Sequence, residues 1–92
     1  MNDEDEYLKL LAYVKINEYR SKVMEYLSDK DYDFPVNIAN GVGIRTNHIS
    51  MTLSQLKKHG LVECINPEAR KGRLYRLTPV GVKIMDYSKQ IK

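Results

Sequence analysis

The sequence predicts a mainly α-helical domain with one small β-hairpin, an α+β fold. Apolar residues recur at helical spacing at both ends and in the middle of the chain, the pattern of amphipathic helices. Two short runs within residues 61–77 read as paired strands separated by a polar loop. The chain has 92 residues, the size of one domain with a modest core. We therefore expect residues 1–92 to form a single domain.

The first helical stretch covers residues 3–28. Acidic residues occupy its first turn, where the helix dipole favours them. Asn17 offers a helix cap partway along, so the stretch forms either one helix or two that are broken near residues 15–17. Four tyrosines lie in this stretch and fit either packing at the edge of the core or a subunit interface. They are Tyr7, Tyr13, Tyr19 and Tyr26.

Residues 35–59 predict two helices joined by a glycine turn. Pro35 suits the first position of the first helix, which ends at "NGVG", where two glycines permit a tight turn. The second helix covers residues 45–59 and is ended by Gly60. Its predicted buried stripe is Ile49, Leu53 and Leu56. The opposite, exposed face of this helix carries Thr46, Asn47, Ser50, Met51, Ser54 and Lys57.

Residues 61–77 predict a hairpin in which the loop "NPEARKG" joins the strands "LVECI" and "RLYRL". We expect Tyr75 and Leu77 to anchor the second strand and its neighbouring cations to point outward. Arg76 alternates differently from Arg73, and either binds an anion or forms a structural ion pair.

Thr78 and Pro79 are a good cap and first position for a final helix over residues 79–91. Its predicted buried face is Val80, Ile84, Tyr87 and Ile91.

The net charge is only +3, but it is unevenly distributed. Residues 1–33 hold nine acids and five bases, a net charge of −4, whereas residues 34–92 hold ten bases and three acids, a net charge of +7. Such asymmetry indicates that one end of the molecule binds a polyanion. The alternative is accidental clustering on a solvated surface.

The middle and the end of the chain resemble a known family. "GIRTNHISMTLSQLKKHGLVECINPEARKGRLYRLTPVG", residues 43–81, is similar to the small winged helix-turn-helix transcriptional regulators of archaea, whose architecture is related to the MarR and ArsR groups. The segments "GIR.NHIS", "L..HGLVECINPEA" and "KGRLYRLT..G" carry the resemblance, and residues 1–33 match only loosely. It implies a sequence-specific regulator that binds double-stranded DNA, with outer helices that form a homodimer.

The chemistry of the residues is consistent with that implication. In residues 45–59, the side chains of Arg45, Thr46, Asn47, His48, Ser50, Met51 and Ser54 can approach base edges in the major groove. Asn47 can pair with adenine, and Met51 can touch a thymine methyl group. In the hairpin, Arg70, Lys71 and Arg73 can hold the backbone or enter the minor groove. The alternatives are a solvated helix face and a charged strand edge that blocks aggregation.

Other functions find little support in the sequence. Two histidines and one cysteine, Cys64, lack the close spacing of a zinc site, and no phosphate-binding loop or catalytic triad is evident. We therefore expect no enzyme, cofactor or metal. No apolar run approaches the ~20 residues of a membrane span, so we expect no membrane partner and a cytoplasmic location. The competing function is a winged-helix module that binds protein within a transcription or replication assembly.

Overall fold

The structure is a computed structural model that describes residues 3–90. This part of the chain contains five helices and a two-stranded antiparallel sheet, and the predicted α+β class is confirmed. In chain order the elements are α1 (Asp3–Lys15), α2 (Glu18–Ser28), α3 (Pro35–Val42), α4 (Thr46–Lys58), β1 (Val62–Cys64), β2 (Tyr75–Leu77) and α5 (Pro79–Gln90).

The first helical stretch is two helices rather than one. Asn17 has extended backbone angles, and its Oδ1 accepts a hydrogen bond from the Arg20 N–H at 3.1 Å. This cap starts α2, so that α1 and α2 are separate helices. The chain can therefore turn at Ile16, and α1 and α2 pack against each other.

The turn between α3 and α4 depends on a single glycine. Gly43 has a left-handed backbone with φ of 73°, and its N–H donates to the carbonyl oxygen of Ala39. The prediction that both glycines of "NGVG" form the turn is wrong for Gly41. Gly41 lies inside α3, where a Cβ would overlap the ring of Tyr26.

All five helices contribute to one apolar core. The predicted stripe of α4 is confirmed, because Ile49, Leu53 and Leu56 are all buried. Thr52 is buried beside them and donates its hydroxyl proton to the His48 carbonyl oxygen at 2.8 Å, which satisfies the polar group. The other buried apolar residues are Leu11, Val14, Val23, Met24, Leu27, Ile38, Ala39, Ile44, Leu61, Val62, Leu77, Ile84 and Met85.

The hairpin, which we call the wing (residues 61–77), has shorter strands than predicted. Its register pairs Val62 with Leu77, Glu63 with Arg76 and Cys64 with Tyr75. A third segment joins the sheet at one residue, since Asp33 and Tyr75 exchange both backbone hydrogen bonds, at 3.0 and 2.9 Å. This bridge was not predicted, and it fixes the wing to the chain just before α3.

The buried face of α5 differs from the prediction. Gly81, Ile84 and Met85 are buried, whereas Val80 is 39% exposed, and Ile91 lies outside the described residues. Gly81 allows the helix to approach β1 closely, because a Cβ there would overlap the Leu61 carbonyl oxygen. Thr78 caps the helix as predicted, since its Oγ1 accepts from the Gly81 N–H at 3.0 Å.

Candidate nucleic-acid interface

The exposed surface of α4 divides into three strips. Consecutive residues of a helix are 100° apart, so residues three, four and seven apart share a strip. The wing-facing strip is Thr46, Ser50 and Lys57. The outer strip, opposite the core, is Asn47, Met51, Ser54 and Lys58, all of them exposed. The α2-facing strip is His48, Gln55 and His59.

The α2-facing strip is occupied by contacts within the chain. The ring of His48 meets that of Tyr19 edge-on, with centroids 5.3 Å apart, and the side chain is half-buried. The Arg20 Nε donates to the Gln55 Oε1 at 3.1 Å. His48 was predicted to approach bases, but this geometry turns its side chain toward α2 and away from the outer strip.

Tyr13 connects the end of α4 to both N-terminal helices. The His59 ring stacks on Tyr13 with centroids 3.8 Å apart, and the Arg20 guanidinium lies 3.8 Å from the same centroid. Two groups cannot share one ring face at that distance, so Tyr13 lies between them. Arg20 also donates to the Tyr13 carbonyl oxygen at 2.9 Å. The stack fixes the direction of α4, because cation–π and aromatic contacts hold its last turn.

The four N-terminal tyrosines all have partners in the same chain. Besides Tyr13 and Tyr19, Tyr26 donates to the Asp33 carboxylate, and the ring centroids of Tyr7 and Tyr87 lie 6.3 Å apart. Packing within the chain therefore accounts for these rings.

The loop of the wing is organised by Asn66. Its Oδ1 accepts from the Leu74 N–H at 2.7 Å, and its Nδ2 donates to the Gly72 carbonyl oxygen at 3.0 Å. Across the loop, the Arg73 Nε donates to the Ala69 carbonyl oxygen at 2.8 Å. These bonds hold the loop in one shape, so its cations project from a defined backbone.

Arg73 lies between the wing and α4, and its exposed side chain points out of the wing on the side that faces α4. It shares a strand face with Tyr75, as the alternation predicted, and that face is turned toward α4. Ser50, Ser54 and Lys57 line a cleft of about 400 Å³ with these two residues, and Pro35 and Leu53 complete its walls.

Arg70 and Arg73 also border a second depression, of about 360 Å³. Its apolar part comes from Phe34, Pro35 and Val36, and Thr46 and Gly72 complete it. Lys71 lies at the exposed tip of the loop. The structure thus brings the wing cations next to the wing-facing strip of α4, while Asn47 and Met51 lie farther round the helix.

Arg76 forms the structural ion pair that the sequence left as one of two possibilities. Its Nε lies 2.7 Å from the Glu63 Oε2, directly across the sheet. Both side chains are substantially exposed, so the pair contributes about 0–1 kcal/mol at most.

Asp33 links α2, α3 and the wing. Burial alone would raise its pKa, but hydrogen bonds from Tyr26, Asn37 and the Phe34 N–H, with the charge of Lys30, lower the pKa of this carboxyl below its ordinary value. The hydrogen bond to Asp33, followed by burial, raises the pKa of Tyr26. A lowered carboxyl pKa stabilises the fold above pH about 4, and this contribution is lost as the pH falls through the lowered value.

Other kinds of site are not evident in residues 3–90. No three His, Cys, Asp or Glu side chains in this range are placed to hold a metal ion. Within the same range, no helix is both long and apolar enough to cross a membrane. Cys64 is half-buried, with its Sγ 3.6 Å from the Asn66 Oδ1.

The fold is similar to solved winged-helix structures. RV1404 from Mycobacterium tuberculosis superposes with a TM-score of 0.75 at 18% identity, over 87% of this chain and 57% of that one. A mutant MarR from E. coli, complexed with operator DNA, gives 0.75 at 24% identity, over 97% and 65%. The homodimeric winged helix-turn-helix DNA-binding domain of Mb0332 from Mycobacterium bovis, a possible ArsR-family transcriptional regulator, gives 0.68 at 23% identity, over 94% and 77%.

These likenesses establish the winged-helix fold. The similar structures include MarR, another MarR family transcription regulator and the possible ArsR-family regulator Mb0332, none of which is described as an enzyme. The chain spans little more than half the length of RV1404 and about two thirds of the length of MarR. No protein-family model matches the chain, and no curated protein matches its sequence.

Proposed function

We propose that this chain is a sequence-specific regulator of transcription that binds double-stranded DNA. In this proposal α4 enters the major groove, and the wing lies on the backbone or in the minor groove. The observation that carries it is the common surface of the polar strips of α4 and the wing cations, with no acidic residue lining the cleft between them. The complex of a structural neighbour, MarR, with operator DNA supports it.

The outer strip of α4 is suited to reading bases. Asn47 lies in the first turn, is exposed, and makes no side-chain hydrogen bond within residues 3–90. Met51 is exposed one turn later and offers an apolar contact for a thymine methyl group. A helix that meets the groove with its N-terminal end places these residues nearest the base edges. We assign the specific contacts to Arg45, Thr46, Asn47, Ser50, Met51 and Ser54, and the backbone contacts to Arg70, Lys71 and Arg73.

A protein-binding module is the second candidate, because Phe34 and Val36 are exposed beside the wing. The two functions differ in their response to salt. Phosphate contacts make the affinity for any duplex fall steeply with salt concentration, whereas an apolar docking surface has no such dependence on DNA. Measuring the binding of random duplex at several salt concentrations separates them, and salt-independent or absent binding would favour the module.

Asn47→Ala is expected to weaken binding to the preferred operator by about 1–3 kcal/mol, the cost of one lost bidentate base contact. Affinity for scrambled duplex should hardly change, because lysine and arginine contacts to phosphate set it. The operator is first obtained by random-site selection, and both affinities are then measured by fluorescence anisotropy.

Asn40→Ala is the matched control, since Asn40 is an exposed asparagine on α3. It should leave the ratio of the two affinities unchanged. Equal losses for Asn47→Ala on operator and scrambled DNA would mean that Asn47 contacts the backbone or supports the scaffold, and the base-reading role would move to another residue of α4.

We also propose a homodimer formed through residues 1–28 and 79–92, of which residues 1, 2, 91 and 92 lie outside the described part. In support, α1 and α5 pack together, and Leu8 and Val82 on these helices are 45% and 46% exposed. A two-fold axis through this face would set two copies of α4 about one turn of DNA apart, ~34 Å. We keep the archaeal source as a prediction that rests on the resemblance of residues 43–81, and the cytoplasmic location as a prediction that rests on the composition of the sequence.

Sedimentation at micromolar concentration is expected to show a dimer, and Leu8→Glu combined with Val82→Glu should convert it to a monomer, because each new charge would be buried without a partner. Val36→Glu is the control: Val36 is 53% exposed but lies on α3, so this variant should stay dimeric. A monomeric wild-type chain, with and without operator DNA, would contradict the proposal.

A further inference from the structure

The cleft between α4 and the wing, which we call the helix–wing cleft, carries an arrangement that base reading does not explain. Ser50, Ser54 and Lys57 approach it from α4, and Arg73 and Tyr75 from the wing. Two cations from different elements therefore border one concave space of about 400 Å³. Its floor is apolar, formed by Pro35 and Leu53.

The hydrogen-bond donors around this cleft are largely uncommitted. Within residues 3–90, the Lys57 ammonium group forms no ion pair, and the Ser54 and Tyr75 hydroxyl groups make no hydrogen bond. Arg73 uses only its Nε, which donates to Ala69, so both of its terminal nitrogens are available. Such a set of donors without a lining carboxylate is suited to an oxyanion.

Arg73 is also held in place before any ligand arrives. The Ala69 carbonyl fixes its guanidinium group, and Asn66 fixes the loop on both sides of it. A guanidinium fixed at Nε still offers a planar pair of N–H groups, the geometry that binds two phosphate oxygens together. Little side-chain entropy is then lost on binding.

We propose that the helix–wing cleft binds one phosphate of the DNA backbone, held jointly by Lys57 from α4 and Arg73 from the wing. The inference rests on the proposed function, and it adds Lys57 and Tyr75 to the phosphate contacts. The phosphate would lie where the backbone passes between the groove occupied by α4 and the groove met by the wing, so that its position sets the angle between the two elements.

Joint binding has a consequence that separate contacts lack. Each phosphate that the protein neutralises makes the slope of log K against log salt concentration steeper, by about 0.9. If Lys57 and Arg73 hold the same phosphate, Lys57→Ala and Arg73→Ala together should make the slope shallower by about 0.9 for each bound subunit. If they hold different phosphates, the change should be about 1.8 for each bound subunit. Either substitution alone should change the slope only slightly, because the other cation remains.

The test measures the salt dependence of operator binding for the wild type, both single variants and the double variant. Lys58→Ala is the matched control, since Lys58 is the adjacent exposed lysine but lies on the outer strip of α4. Combined with Arg73→Ala, Lys58→Ala should act independently. All these side chains are exposed, and thermal unfolding checks that each variant is folded.

A second measurement locates the phosphate. Operators with a single methylphosphonate linkage remove one backbone charge at a time. We expect one position at which the wild type loses affinity and at which Lys57→Ala and Arg73→Ala have no further effect. Lys58→Ala should change the affinity for that modified operator and for the unmodified operator by the same factor.

A free phosphate offers the same chemistry as the DNA backbone, and NMR titration with inorganic phosphate at constant ionic strength separates the two sources. We expect no saturable shift of the Ser54 and Lys57 amide signals. A saturable shift in phosphate alone, with unaltered operator binding in the double variant, would overturn the proposal and assign the cleft to a small phosphorylated ligand.

The proposed function and this inference fail differently. If the wild type binds its operator with a steep salt dependence but each single variant makes the slope shallower by about 0.9 for each bound subunit, the shared phosphate is wrong and DNA binding stands. If the wild type binds no duplex in a salt-dependent manner, both are wrong.

Discussion

Ile49→Ala is expected to lower the free energy of unfolding by about 2–5 kcal/mol. Ile49 is fully buried at the centre of the stripe by which α4 packs on the core. Alanine would remove three carbon atoms from that site and leave a cavity, because a close-packed interior relaxes only in part. A domain of this size has a total stability of about 5–15 kcal/mol, so the change removes a large fraction of it. Urea unfolding followed by circular dichroism measures the effect.

Met51→Ala is the control for this measurement, since Met51 lies two residues away on the same helix and is 54% exposed. It should change the free energy of unfolding by about 0.5 kcal/mol or less, as surface substitutions usually do. Both variants are compared at one protein concentration, because association stabilises the folded state. Similar losses for the two variants would show that α4 is not anchored through Ile49.

Removing the wing charges is expected to weaken binding to all duplexes alike. Arg70, Lys71 and Arg73 are exposed, and each can displace counterions from phosphate. Replacing the three with alanine should make the salt slope shallower by about 1.8 for each bound subunit if Lys57 still holds the phosphate of Arg73, and by about 2.7 otherwise. Between 50 and 200 mM salt, the wild type should lose about 10- to 40-fold more affinity than the variant for each bound subunit.

A charge-matched control tests whether position or total charge is responsible. Replacing Lys9, Lys15 and Lys83 with alanine also removes three of the 15 cations and takes the formal net charge from +3 to zero. These lysines are exposed on α1 and α5, so the salt slope should stay close to that of the wild type. An unchanged slope in the wing variant, or an equal loss in the control, would overturn the assignment of the wing.

Local signals in the sequence predicted most of the elements. Asn17, Pro35 and Thr78 act at helix starts because a cap or a fixed φ needs only its immediate neighbours. The buried stripe of α4 follows from helical periodicity, which is equally local. The hairpin followed from strand alternation and an Asn-Pro loop, although each strand is shorter than the pattern suggested.

Features that depend on distant contacts escaped prediction. Helical spacing cannot tell that α2 places Tyr19 beside His48, and so His48 was included among the residues expected to approach bases. Val80 was placed on the buried face of α5 because it is apolar, whereas the close approach of Leu61 places Gly81 there instead. Alternation did put Arg73 on the face of Tyr75, but only the packing of the wing against α4 shows what that face meets.

The candidate site was predictable in its residue types more than in its arrangement. Polar residues at the start of α4 and cations in the wing were visible in the sequence, and their roles stay predictions. Lys57 was noted only as an exposed residue, since nothing in the sequence near residue 57 indicates that Arg73 borders the same cleft. Lys57 and Arg73 are 16 residues apart on two different elements, and only the fold shows that they border one cleft.

The backbone bridge between Asp33 and Tyr75 has a consequence for the order in which the molecule folds. It closes a loop of 42 residues, whereas α3 and α4 are joined by only a short turn. Loop closure costs about 0.6 kcal/mol more for each doubling of loop length. Contacts near in sequence, such as those between α3 and α4, are therefore expected to form before this bridge closes. The bridge consists of a single residue pair, and we therefore expect the amide protons of Asp33 and Tyr75 to exchange with solvent through openings smaller than complete unfolding.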